Sequence, residues 1–552
     1  MGSDQSPSDA QPGRDESRVF VMKAARSVAE LQPKVNNVAD VMVFLEVLGY
    51  TRGDALQNGF DDLNGVAREV YEFLDMLQTD EGVPASSRES YVEVPTTATR
   101  IAEGLALSFG WIGALVLLFV AGVSLWLSLV LPLTVVTVFM GGLFAGLFIT
   151  AGPLSGFNRL FTFYHDQGNL AEAKRVLKRT YLEVGAVLAA ASGGLYAVAL
   201  LTGFPTGLFE IGIATLIVSS TFMMVYAIIY SLKKYVHLVL SYSLAFAALI
   251  AVYFGTGALI PQDTSRYFLA LASAVAILCA FGLYDQFEVL SGRSFRIGAD
   301  APAFFRPITI NKSTVRSRFS VQFWETLPSY LFGTSFFLLI FGDRILSWFF
   351  NPGKVADGVT LPFVFNSVYH AGADAALFII FPALIIQYVM MTPIFAQVSN
   401  ATLEYSVSEV QGVQRFLVKR YERIMATSVL ASVAVAVGLD YLYPMVMSGT
   451  AFALTPTSLQ ILHIASVANV LLVVFFANSL FIQFMNRMTG LAMIATMGAL
   501  LVTIGGLMLA TTGFQNLEVA YLGAAVAVAC LSTVYVLKNL SRAASIFFAR
   551  YM

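Results

Sequence analysis

The sequence predicts an all-α integral membrane protein. About twelve transmembrane helices form two six-helix halves behind a small N-terminal helical extension. Three observations carry this reading. First, 57% of the 552 residues are hydrophobic and 12% are charged, about half the charged share usual in soluble domains; a single soluble core stops growing near ~300 residues. Second, twelve apolar runs reach the roughly 20 residues that a bilayer crossing takes. Third, the basic residues alternate between loops. Twenty-one Lys and Arg follow even-numbered spans, against three (Arg266, Arg344 and Lys354) on the other side, and nine more precede the first span. A wrong span count would scramble that alternation, so both termini are expected in the cytoplasm.

Residues 1–104 form the extension, expected to be cytoplasmic. The polar start shows no apolar core after a basic segment, so no cleavable signal peptide is expected, and residues 1–17 read as disordered. Amphipathic helices are expected near 19–31, 38–49 and 61–78. The last places Leu63, Val66, Val70, Phe73, Leu74 and Leu77 on one face. The extension reads either as a small helical cap or as a docking site for a cytoplasmic partner. The spans follow at 105–127, 131–154, 180–203, 207–231, 235–259, 267–290, 321–349, 372–396, 425–447, 458–485, 488–511 and 516–537. A tight connection near Ser128–Leu131 joins the first two. A long basic linker, 291–319, divides a first half (105–290) from a second (320–552). At an offset of 240 residues, Pro153/Pro393, Arg175/Arg415, Leu177/Leu417, Tyr181/Tyr421, Ala191/Ala431 and Ser192/Ser432 coincide. The offset spans six helices, the arrangement of transporters built from parallel repeats with a pathway between the halves.

Several chemistries are missing from the sequence. It has no GxxxxGK[ST] phosphate loop, HExxH pair or GxSxG elbow, so no ATP motor, zincin or hydrolase is expected. Cys279 and Cys530 sit in apolar runs and imply neither a disulfide nor a metal. The scattered His165, His237, His370 and His463 read as packed or hydrogen-bonded residues. No catalytic residue, cofactor or nucleic-acid partner is expected. The pair Gly142/Gly146 reads as a close helix contact. Charges inside spans are costly, at least ~2.5 kcal/mol, and face protein or water. Glu183, Glu210, Glu288 and Asp440 lie near span ends, whereas Asp285, Glu325, Asp343 and Asp374 look deeper. Asp343 and Arg344 read as an interhelix pair or a gate. The acidic excess favours a neutral or cationic passenger over a polyanion.

Four stretches resemble the Pel exopolysaccharide exporter (PelG) family of the multidrug/oligosaccharidyl-lipid/polysaccharide (MOP) exporter superfamily. The first, from Leu147, is similar to that family's second-helix motif through Gly152, Pro153, Arg159, Tyr164 and Asp166. The second opens the fifth span with Lys234 and Tyr235. The third, near the outer end of span seven, holds Asp343, Arg344 and Trp348. The fourth, in span eight, holds Tyr369, Asp374, Phe378 and Pro382. Residues 1–104 are longer than that family's short start. The resemblance implies a V-shaped MOP/MATE-like bundle in the bacterial inner membrane that exports an amino-sugar-containing polysaccharide. It also implies a cytoplasmic glycosyltransferase and a membrane-bound cyclic-di-GMP receptor as partners.

The candidate path and gate residues are Arg159, Tyr164, Asp166, Asp285, Glu325, Asp343, Arg344, Tyr369 and Asp374. Arg159 and Tyr369 are expected to meet sugar hydroxyls. Three alternatives stand beside the exporter. A lipid-linked oligosaccharide flippase would need a basic cavity. A small-molecule cation antiporter would need a titrating carboxylate such as Asp374 or Asp285. A scaffold would anchor a synthase through residues 1–104.

Overall fold

A computed structural model describes residues 13–31, 38–80, 95–126, 131–166, 169–202, 206–291, 319–351, 355–356, 359–404, 410–447 and 453–541. The N-terminal unit holds α1 (Gly13–Leu31), α2 (Val38–Val47), α3 (Arg52–Gln57) and α4 (Leu63–Asp80). The polar start is therefore helical from Gly13; the rest of the expected disordered segment, 1–12, lies outside the described residues. Val21, Ala24 and Val28 of α1 pack with Val41 and Leu45 of α2 and with Leu63, Val66, Val70 and Leu74 of α4. These are the apolar positions of amphipathic helices, spaced to cover one face each. Helix α3, which the apolar periodicity did not signal, is too short to show a period. It is announced instead by a capping box in which Thr51 and Asp54 satisfy each other's backbone amides.

Among the described residues, twelve helical spans are long and apolar enough to cross a membrane. The first six are α5 (Thr97–Ala121), α6 (Leu133–Asp166), α7 (Leu170–Thr202), α8 (Thr206–Ser231), α9 (Tyr235–Gly255) and α10 (Asp263–Ser291). The last six are α11 (Phe319–Phe349), α12 with α13 (Ser367–Ala376 and Ile380–Glu404), α14 (Val410–Met447), α15 (Pro456–Phe484), α16 with α17 (Met488–Leu500 and Gly506–Ala510) and α18 (Leu517–Leu540). The first span starts at Thr97 rather than residue 105, because Thr96 caps it by accepting from the Thr99 amide. Below, the proximal end of the bundle is the one at which α5 begins. The tight connection expected at Ser128–Leu131 and the linker 291–319 lie largely outside the described residues. One departure from an all-helical chain is a small ladder, β1 (Val355–Ala356) with β2 (Val359–Thr360), between α11 and α12.

Two buried cores run through the bundle. One draws on α5–α10 plus Trp348 and Phe365; the other draws on α11, α13–α16 and α18. Glycines bring the helices together. Gly142 and Gly146 of α6 face Gly212 and Ser219 of α8, and Gly333 of α11 faces Ala151 and Ser155 of α6. Without side chains the backbones approach closely, which substitutes for a hydrophobic drive in lipid. Two spans are interrupted. Span eight changes to 3-10 geometry at Leu377–Ile379, just before Pro382, whose ring has no amide to give and crowds the carbonyl four residues back. Span eleven carries a π-turn at Leu501–Gly505. Helices α7 and α14, related by the 240-residue offset, are both peripheral: only 11% and 6% of an apolar 18-residue stretch in each is buried.

A Gly142→Leu substitution should overpack the α6–α8 contact, where any Cβ would meet the Gly212 carbonyl, at a cost of about 1–3 kcal/mol. Gly185→Ala, which meets nothing, should cost nothing and gain up to about 1 kcal/mol of helix propensity. Thermal unfolding of the purified variants checks the pair.

Candidate functional site

Two cavities lie between the halves and meet at a collar. The proximal cavity, about 830 Å³, is walled by Leu107, Tyr230, Phe336, Leu384, Tyr388 and Phe476, with Lys233 at its edge. The distal cavity, about 410 Å³, is walled by Trp126, Phe144, Phe365, Phe378 and Tyr443, with His370 and Asp374 as its titratable groups. Trp111, Phe341, Leu377 and Phe381 line both. The collar thus sits at the break in span eight. Trp111 stacks on Trp126, with ring centroids 5.3 Å apart and planes 19° from parallel. The lining is apolar and aromatic with a few convergent polar groups, the usual make-up of a small-molecule site.

Behind the distal cavity wall lies a charge cluster. Arg344 is fully buried. Its Nε donates to Asp374 Oδ1 at 2.8 Å, Nη1 to both Asp343 oxygens at 3.1 Å and to the Ile340 carbonyl at 2.9 Å, and Nη2 to the Ala373 carbonyl at 2.7 Å. Asp374 also meets His370 Nδ1 at 2.9 Å, and Trp348 Nε1 donates to the other His370 nitrogen at 2.8 Å. Asp374 keeps 39% of its side-chain surface open, and that surface faces the cavity, so protein encloses it on the remaining sides. Tyr369 donates to Asp343 Oδ2 at 2.8 Å. On α18, Glu518 is fully buried, and neither carboxylate oxygen has a hydrogen-bond partner among the described residues. Tyr521 donates to Asn469 Oδ1 at 2.7 Å.

Four of the nine candidates therefore meet: Asp343, Arg344, Tyr369 and Asp374. Of these, only Asp374 reaches a cavity. Tyr369 is fully buried against Asp343 and so cannot meet a sugar in this geometry; it positions the carboxylate instead. Arg159 ties the halves at the proximal end, with Nη2 3.0 Å from Asn486 Oδ1 and Nη1 3.5 Å from Ser329 Oγ. Tyr164 packs at the same end of α6, and the side chain of Asp166 lies outside the described residues. Glu325 is exposed near the start of α11 and lines neither cavity. Asp285 is buried in a structural ion cluster with His237 Nδ1 (2.9 Å) and Lys234 Nζ (2.7 Å), which also holds Glu288. Partial burial lowers the pKa of Lys234, but its bonds to Asp285 and Glu288 outweigh this and hold it above the ordinary lysine value. That contribution to stability is complete below the unfolded pKa, and it is lost only as alkaline pH rises through the folded one. Sequence reasoning missed Glu518, Asn469 and Tyr521, and it did not single out the collar.

Other polar ties cross between the first six spans and the last six at the proximal end. Tyr388 donates to Glu103 at 2.9 Å and lies 2.5 Å from the Tyr235 hydroxyl, and Arg100 donates to the Val389 carbonyl at 2.7 Å. Distally, the Phe365 amide donates to Thr137 Oγ1 at 3.1 Å. Among the described residues no group of three His, Cys, Asp or Glu could hold a metal.

Arg344→Leu should lower stability by about 3–5 kcal/mol, because it strands two carboxylates in the interior. The double variant Asp343→Leu/Arg344→Leu should recover part of that loss, since His370 still partners Asp374. Midpoints of thermal unfolding in detergent compare the two.

No family model matches the sequence, and no curated protein does. Solved structures do. A point mutant of MATE aligns over 82% of this chain and 97% of its own, at 13% identity and a TM-score of 0.56. An outward-facing multidrug-resistance MATE transporter of the MOP superfamily aligns over 81% and 94%, at 13% and 0.52. A MOP superfamily transporter from Pyrococcus furiosus, described as having a binding pocket of reversed polarity, aligns over 81% and 95%, at 14% and 0.52. The chain has the fold of the MATE transporters of the MOP superfamily.

Proposed function

We propose that this chain exports an exopolysaccharide, Pel-like and containing amino sugars, across the bacterial inner membrane, with its proximal end facing the cytoplasm. The observation that carries the reading is the pair of aromatic-walled cavities meeting at the Trp111–Phe341–Leu377–Phe381 collar. A pyranose ring offers flat faces of C–H groups that pack on aromatic rings, and its hydroxyls donate to an acceptor such as Asp374. The flippase alternative asks for a basic cavity to hold a diphosphate, and the distal wall instead presents a carboxylate. The resemblance of the four motifs supports the passenger class. It also supplies the partners of the proposal: a cytoplasmic glycosyltransferase and a membrane-bound cyclic-di-GMP receptor, at the end where the N-terminal helices join α5.

A second reading, a small-molecule cation antiporter, is favoured by one observation. Asp374 and Asp285 are both paired, but Glu518 is fully buried and neither of its oxygens has a hydrogen-bond partner among the described residues, which leaves both open to a cation.

One strain set separates the readings. Deleting the gene should remove an amino-sugar polymer from the secreted matrix while its nucleotide-sugar precursors persist. The wild-type chain should restore the polymer, and Asp374→Ala should not, although it stays in the membrane because Asp343 still holds Arg344. Sugar analysis and lectin staining provide the readout. An unchanged matrix with new sensitivity to cationic dyes would replace the exporter with the antiporter.

A further inference from the structure

Helix α14 is 38 residues long, about 57 Å at 1.5 Å per residue, against a hydrocarbon core of about 30 Å. Its proximal turns therefore stand at the membrane surface or beyond it. There Arg415, Lys419 and Arg423 are all exposed, at successive four-residue steps, and so form one rail along the helix. None makes an ion pair with a described residue. The fourth cation of the segment, Arg420, is turned elsewhere: it lies over the Phe416 ring at 5.2 Å and reaches Gln397 Oε1 at 3.4 Å. Glu422, the acidic residue of this stretch, is exposed as well, which leaves the exposed face with a net excess of two positive charges. At steps of three and four the rail continues into apolar side chains that the protein leaves uncovered, among them Leu430 (70% exposed), Val433, Val437 and Tyr441 (76%).

The related helix of the first half handles its charges differently. On α7, Arg175 pairs with Glu172, and Arg179 pairs with Glu183 at 2.6 Å. Glu183 in turn accepts from the Tyr330 hydroxyl at 2.6 Å. Those two arginines are paired within the helix, although Arg175 remains half exposed and Lys178 is exposed beside them. At the matching position on α14, Arg415 makes no such pair with a described residue.

We propose that the Arg415–Lys419–Arg423 rail binds the headgroup of an anionic phospholipid in the leaflet at the proximal end. The phosphate sits against the guanidinium and ammonium groups, and the acyl chains run along Leu430, Val433 and Val437. Charge complementarity names the headgroup, because cations near a membrane surface attract anionic lipid. The unbroken passage from basic to apolar residues on one rail names a lipid rather than a soluble anion. The assignment does not depend on the passenger.

The test uses the full-length chain purified in detergent, with phosphatidylglycerol or phosphatidylcholine added and lipid adducts counted by native mass spectrometry. Wild type should retain phosphatidylglycerol over phosphatidylcholine. R415Q/K419Q/R423Q should weaken phosphatidylglycerol retention by about 10- to 100-fold, with phosphatidylcholine adducts unchanged. Should the triple variant fold poorly, the single exposed reversal K419E should still lower phosphatidylglycerol retention selectively. K178Q on α7 should have no such effect. Equal phosphatidylglycerol retention by wild type and the rail variants would overturn the site. Thermal stabilisation of wild type by inorganic phosphate as large as that by phosphatidylglycerol would overturn the lipid assignment.

Discussion

Arg344 is the charge on which the interior of the last six spans depends. It cannot lose its proton in a protein and it is wholly buried, so the surroundings must supply compensation. They do so with two carboxylates and two backbone carbonyls drawn from α11 and α12. This requirement fixes how those helices lie: Asp343 must be held by Tyr369, and Asp374 must turn back toward Arg344 while His370 and Trp348 brace it. The wall of the distal cavity is thus the outer side of an ion cluster, and Asp374 is the member that belongs to both.

The same segment sets the constriction. Pro382 removes a helical donor, the chain tightens into a 3-10 turn at Leu377–Ile379, and Leu377 with Phe381 swings into the collar against Trp111 and Phe341. A break in a span is tolerated where neighbouring protein covers it, and here it lies between the two cavities. The collar between the two cavities therefore rests on a helix that is locally re-formed, anchored a turn away by Asp374.

Much of the fold was legible because the bilayer leaves few options. Twelve apolar runs and one alternating set of charges led to twelve spans, and Gly142/Gly146 announced a close contact. The site was legible only in part. Asp343, Arg344 and Asp374 stood out as charges within apolar runs and within motifs that resemble a known family. Tyr369 was assigned to the passenger, whereas its hydroxyl donates to Asp343, since sequence spacing does not say which way a buried hydroxyl points. Glu325 and Asp285 looked deep because hydropathy windows carry no partner information; one is exposed and the other is held by Lys234 and His237. Glu518 escaped notice because it stands two residues into the expected span, where a carboxylate reads as interfacial. Only tertiary packing places α18 against α11 so that this end is interior. The collar was not legible at all, as it joins residues from three helices far apart in sequence.

The central claim is that a sugar chain passes through the collar. Flux of a labelled amino-sugar oligosaccharide into proteoliposomes of the purified protein tests it most directly. The account predicts saturable uptake in wild type that a bulky Leu377→Trp plug abolishes. Exclusion of the oligosaccharide by wild type, with accumulation of a small organic cation in its place, would contradict it.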